Sequence, residues 1–154
     1  MRKNIKKILF VCTGNSCRSI MAEAYMKKRA QEEKLDLEIG SAGTLGVDGL
    51  APSNNTIEVL KKSGISAEAY RSTGLTGELI KWADIILVMT AEHKEKILEL
   101  DKTAGEKTFY LLEFSDKTDV LSLADPVGYS LPVYEDCYAL IKNAVEGFLK
   151  WLKK

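Results

Sequence analysis

The chain has 154 residues, a length suited to one core, with 45% hydrophobic and 29% charged residues, a globular balance that argues against disorder. Its 22 Lys and Arg cancel 22 Asp and Glu, so it lacks the basic excess of a nucleic-acid-binding protein. Three cysteines and a single histidine argue against both a disulfide scaffold and a four-ligand structural zinc site, and for thiol chemistry in a reducing, cytoplasmic compartment.

Met1 to Lys7 is a basic lead-in to the apolar run Ile8 to Val11, which is shorter than the ~7–15 residues of a secretory signal core. No stretch approaches the ~18 apolar residues of a membrane span, so no membrane association is expected. Lys7-Ile-Leu-Phe-Val-Cys12 has the near-continuous apolar character of a strand covered on both faces. Arg18 to Glu33 reads as a helix, with Ala22, Tyr25, Met26 and Ala30 on one side and Lys27, Lys28, Glu32 and Glu33 on the other. Leu37 to Ala42 is a candidate second strand, and Gly43 to Pro52 a loop. Ser53 or Asn54 caps a helix through Ile57, Val59 and Leu60 that Gly64 stops. Thr76 caps a short helix from Gly77 to Ala83, and Asp84 to Met89 is the clearest buried strand. Glu92 to Leu100 is helical, Lys107 to Leu112 is a fourth strand, and Ser115 to Leu131 has no strong periodicity. Tyr134, Tyr138, Ile141, Val145, Phe148 and Leu152 recur four and three apart and mark a long final helix. Such alternation predicts an α/β fold with a parallel sheet covered by helices on both faces. One domain over residues 1–154 is expected, with ligands beyond the carboxyl ends of the strands.

The chemistry concentrates in Cys12-Thr-Gly-Asn-Ser-Cys-Arg18-Ser19, which leaves the first strand and enters the first helix. A helix N-terminus offers unpaired N–H groups and partial positive charge, a ready anion site. Gly14 and Asn15 tolerate the unusual backbone angles that let successive N–H groups, from Thr13 through Ser16 and Cys17, curl around one tetrahedral anion. Arg18 adds two parallel hydrogen bonds to the same anion. In that field the thiolate of Cys12 is favoured and aims at phosphorus, with Ser19 as a further donor to the sulfur. A leaving group also needs a proton. Asp125-Pro126 lies in the unperiodic segment, where a mobile acid loop is expected, and Pro126 restricts the backbone of Asp125.

Cys12-x5-Arg18-Ser19, Ser41-Ala-Gly-Thr44 and Asp125-Pro126, in this order and over essentially the whole chain, resemble the low-molecular-weight protein tyrosine phosphatases. The resemblance implies a three-layer fold around a four-stranded parallel sheet, flavodoxin-like or Rossmann-like. It also implies Cys12 as nucleophile, Arg18 as the ligand of phosphate and transition state, and Asp125 as general acid and then base. Asn15, Ser19 and Ser41 match residues that hold the loop and the thiolate in that family. No metal or other cofactor is implied, and the partners are phosphorylated proteins met by a monomer.

Phosphotyrosine is the family's usual substrate, but the residues also point to phosphoarginine. Ser16 stands where many tyrosine-specific relatives carry a branched aliphatic side chain. Val127-Gly128 follows Asp125-Pro126 where they carry an aromatic pair, with Tyr129 one place later. The protein-arginine phosphatases of the same family resemble this chain in Cys-Thr-Gly-Asn-Thr-Cys-Arg-Ser and in a segment like Met89 to Lys94. Thioredoxin-coupled arsenate reductases can share the loop string, but need relay cysteines near the third strand, where Val88 to Lys96 has none. A non-catalytic phosphate-binding module is the remaining alternative, and it would not need both Cys12 and Asp125.

Cys17 is read either as packing or as a resolving thiol that captures oxidised Cys12. Cys137, one turn from Ile141, reads as packing. His93 is expected to cap its helix or lie on its solvent side. Tyr134 and Tyr138 fit the apolar stripe, while Tyr129 is a candidate for the pocket wall.

Overall fold

The computed structural model describes Arg2 and residues 4–154; Met1 and Lys3, part of the basic lead-in, lie outside the described residues. Strand β1 (Lys7–Cys12) forms where an unbroken apolar run permits burial on both faces, and all but its first residue are buried. Its side chains alternate between two cores. Ile8, Phe10 and Cys12 join helices α1 (Arg18–Glu32), α2 (Asn54–Lys62) and α5 (Leu131–Lys153), while Leu9 and Val11 join α3 (Gly77–Trp82) and α4 (Ala91–Leu100). The chain is therefore a three-layer α/β structure.

Strands β2 (Glu38–Gly43), β3 (Ile85–Val88) and β4 (Thr108–Tyr110) complete a parallel sheet in the order β2-β1-β3-β4. In the β1–β2 register Cys12 lies beside Gly43, and in the β1–β3 register Val11 lies beside Val88. The carboxyl ends of all three strands thus open on one side, where the loop after β1 also emerges. The six apolar residues that recur along α5 are all buried.

Local signals act where they were expected. Ser53 accepts the Thr56 N–H at the start of α2 and Thr76 accepts the Leu79 N–H at the start of α3. Gly64 takes φ +77 just after α2. The fourth strand is shorter than its apolar run, because Leu111–Phe114 turns into a 3-10 segment against α5. Residues 115–130 contain no helix or strand. They reach the sheet through Leu123, whose N–H donates to Met89 O at the end of β3.

Candidate active site

The loop after β1 turns its carbonyls outward and its amides inward. Cys12 O accepts the N–H of Thr44, Thr13 O that of Leu45, and Ser16 O both the N–H of Ser53 and the hydroxyl of Thr56. Among the described residues, no backbone N–H from Thr13 to Cys17 donates to a protein acceptor. Asn15 makes this turn possible with φ 54, a left-handed angle that Asn tolerates better than most side chains. Gly43 makes it possible from the neighbouring strand. A Cβ there would lie 2.6 Å from Thr13 O and 2.9 Å from Asn15 N.

Side chains then lock the loop. Asn15 Nδ2 donates to Ser19 Oγ at 2.7 Å and to Ser41 Oγ at 2.8 Å, and Asn15 Oδ1 accepts the Thr73 N–H at 2.9 Å. Ser41 Oγ donates to Glu23 Oε1 at 2.5 Å, so its lone pairs are free for Asn15. Ser19 Oγ accepts from Asn15 and lies 2.9 Å from Cys12 Sγ, which leaves its own proton to point at sulfur. The four bonds diverge from the Asn15 amide, through Ser41 to Glu23 on one side and through Ser19 to the thiol on the other. Glu23 was not legible in advance, because a carboxylate inside a charged helix reads as solvent-facing; in the fold it is buried.

Arg18 is only 3% exposed. Its Nη1 donates to Leu123 O at 2.8 Å and its Nη2 to Thr13 Oγ1 at 3.2 Å, while Nη2 also stands 3.4 Å from Asp125 Oδ2. Its Nε has no hydrogen-bond partner although it is buried. An unpaired guanidinium N–H away from water is costly, and an anion in the cleft would satisfy it. Asp125 therefore does arrive beside the loop from far along the chain, and its side chain is 38% exposed.

Cys12, Thr13, Gly14, Ser16, Cys17 and Arg18 line a cleft of about 230 Å3, closed on its other side by Leu45, Leu50, Asp125 and Val127. Tyr129, expected as a wall, lines instead a larger, mainly apolar hollow of about 500 Å3 behind residues 118–126. Tyr134 and Tyr138 are core residues as expected, although the Tyr134 hydroxyl also reaches Cys17 Sγ at 3.4 Å. Cys17 Sγ also contacts Ser53 Oγ at 3.5 Å. The Cys137 thiol is pushed up to about 12, mainly by burial, which removes it as a nucleophile near neutral pH.

His93 needs correction. It does cap its helix, accepting the Thr90 N–H on Nδ1 at 3.1 Å, but it is not on the solvent side. It is buried, and its Nε2 lies 2.9 Å from Thr13 Oγ1. Burial, with the charge of Arg18 second, lowers its pKa to about 4, against a smaller opposing effect of Asp125. The charged flanking residues Glu92 and Lys94 hid this, because a side chain at the third helical position turns back toward the loop before its helix. Among the described residues, no cluster of three His, Cys, Asp or Glu side chains could hold a metal ion, and no helix is long and apolar enough to cross a membrane.

Comparison with known proteins gives a consistent picture. The family described as low molecular weight phosphotyrosine protein phosphatase matches residues 7–154. A protein-arginine-phosphatase of Geobacillus stearothermophilus is 43% identical over 128 residues, which is 83% of each chain. A low molecular weight protein-tyrosine-phosphatase, Ptp, of Acinetobacter johnsonii is 32% identical over 94% of this chain and 96% of its own. A solved YwlE arginine phosphatase, a cysteine-to-serine variant with a phosphorylated active-site serine, superposes with a TM-score of 0.89 at 33% identity over 96% of both chains.

Proposed function

The chain belongs to the low molecular weight phosphotyrosine protein phosphatase family, and from that premise we propose that it strips phosphate from protein side chains through a phosphocysteine on Cys12. The observation that carries this reading is the buried, unpartnered Nε of Arg18 beside a loop of inward amides. A substrate phosphate seated there accepts from those amides and from Nε, with Cys12 Sγ behind phosphorus.

The thiolate attacks phosphorus as the bond to the leaving atom breaks, and Asp125 delivers its proton to that atom. Asp125, now a carboxylate, takes a proton from water as the water oxygen attacks phosphorus. The S–P bond breaks, inorganic phosphate leaves and the thiolate is restored. Ser19, oriented by Asn15, Ser41 and Glu23, stabilises the sulfur as anion and as leaving group. The backbone amides and Arg18 hold the negative charge of the transition state. Cys17 serves as the thiol that captures oxidised Cys12; peroxide inactivation reversed by dithiothreitol in the wild type, but not in Cys17→Ala, tests that role.

Phosphoarginine is the substrate that the cleft suits better. Its wall is Leu45, Leu50 and Val127, with no aromatic face to stack on a phenyl ring, and Tyr129 is turned out, 64% exposed. Ser16 adds a hydroxyl to the floor, and the Asp125 carboxylate can pair with a guanidinium. The arginine phosphatases named above support this choice. Phosphotyrosine is the second reading, supported by the family's own description and by the Acinetobacter relative. Comparing kcat/KM on phosphoarginine and phosphotyrosine peptides decides it. We expect a preference for arginine of about tenfold or more, moved toward tyrosine in Ser16→Ile, since a polar group left unpaired typically costs about 1–3 kcal/mol. A wild type that prefers tyrosine, with a ratio unmoved by Ser16→Ile, rejects phosphoarginine.

A further inference from the structure

One buried histidine contacts the phosphate loop without a place in the chemistry above. His93 is 2% exposed and its ring is held at both ends. At Nδ1 it accepts the Thr90 backbone N–H at 3.1 Å, and an amide N–H can only donate. Nδ1 is therefore unprotonated, and with the ring neutral the proton sits on Nε2. Nε2–H, 2.9 Å from Thr13 Oγ1, must then be the donor of that bond.

Thr13 Oγ1 accepts a second hydrogen bond, from Arg18 Nη2 at 3.2 Å. Two donors occupy the two lone pairs of the hydroxyl oxygen, so its own proton is directed away from both. Thr13 is thus fixed as an acceptor for Arg18. Without it, Nη2 has one remaining neighbour of opposite character, Asp125 Oδ2, already 3.4 Å away. A guanidinium drawn fully onto Asp125 would turn Nε away from the cleft and tie up the acid in the same movement.

We propose that His93 and Thr13 form a positioning unit that holds the Arg18 guanidinium with Nε facing the substrate phosphate and keeps Asp125 free to transfer its proton. Neither side chain needs to touch the reacting atoms. This inference rests on the reading of Arg18 as the phosphate ligand.

The test is a double-mutant cycle on His93→Phe, Thr13→Val and the pair, read as the inhibition constant of inorganic phosphate and as kcat/KM on p-nitrophenyl phosphate. Each single variant should weaken phosphate inhibition and lower kcat/KM by about tenfold, the worth of one hydrogen bond to a charged group. The pair should lose no more than the worse single variant, because both act on the one Thr13–Arg18 hydrogen bond, His93→Phe by releasing the hydroxyl and Thr13→Val by removing it. His93→Gln, which retains an N–H donor, should recover part of the loss of His93→Phe, and Thr13→Ser part of that of Thr13→Val. Multiplicative losses in the pair would overturn the proposal, and so would rescue variants as poor as the deletions they repair. If His93→Phe does not fold, the Thr13→Val and Thr13→Ser comparison decides alone: equal phosphate inhibition constants reject the acceptor role. A wild type without turnover would instead reject the phosphatase reading itself.

Discussion

The two halves of the site are built to different standards. The loop from Cys12 to Ser19 is tied by its carbonyls to residues 44, 45, 53 and 56, and by Asn15 to Ser19, Ser41 and Thr73. The acid segment around Asp125 hangs from the fold mainly at Leu123, between Met89 O and Arg18 Nη1. Beyond Leu123 it keeps local turns, from Val127 N to Asp125 Oδ1 and Tyr129 N to Pro126 O, a long contact from Cys137 Sγ to Ala124 O, the 3.4 Å approach of Arg18 to Asp125, and one surface bond from Asn55 to Tyr129 O. Pre-set amides are useful for charge stabilisation because they need no rearrangement during reaction. A proton donor must instead serve two successive steps with different partners, and looser attachment suits that task.

Three changes sharpen or break this contrast. Asp125→Asn should lower kcat by about 10²–10⁴-fold on substrates with poor leaving groups. Phosphate inhibition should change little, because the anion cradle is complete without the carboxylate. A comparable loss of phosphate binding would mean that the two halves are one unit.

The next largest effect is on stability. His93 has a pKa of about 4 in the fold, against about 6.5 in an unfolded chain. Between these values the unfolded chain binds a proton that the folded one refuses. The stabilisation from a neutral His93 is therefore complete above pH 6.5, and about 3 kcal/mol of it is lost as pH falls to 4. Urea unfolding of the wild type and His93→Gln between pH 4 and 7 measures it as the pH dependence that the variant lacks.

Gly43→Ala should cost about 1–3 kcal/mol, typical of overpacking, because the new methyl would press on Thr13 O and Asn15 N. Phosphate inhibition should weaken with it, while the acid segment is untouched. Unchanged unfolding and inhibition would show that the loop yields more easily than its bonds suggest.

Most of the fold was legible in the residues. The bounds of β1 and the apolar stripe of α5 follow from period and burial alone, and caps at Ser53 and Thr76 follow from side-chain chemistry. The site was legible where its residues sit together in sequence, from Cys12 to Ser19, and at Asp125-Pro126 once joined to them. His93 was missed because it lies between the charged Glu92 and Lys94, and Glu23 because a carboxylate on a helix reads as solvent-facing even between Ala22 and Ala24. Beside their local contacts with Lys27 and Thr90, the partners that tie them to the loop come from the β1–β2 register, which sets Ser41 over α1, and from the turn before α4, which aims His93 at Thr13. Such pairings join residues 18 and 80 positions apart, beyond the reach of any local pattern. Tyr129 was misplaced for the opposite reason: an aromatic residue near an Asp-Pro attracts attention, but the turn at Gly128, with φ +81, carries it outward.

Arg18 meets Leu123 across 105 positions of sequence. On the ribosome, a nascent chain displays the cysteine loop long before Leu123 and Asp125 have been synthesised. Until then Arg18 lacks its carbonyl anchor, and the acid proposed for the reaction does not yet exist. On the mechanism proposed above, competence therefore waits for closure of this long-range contact.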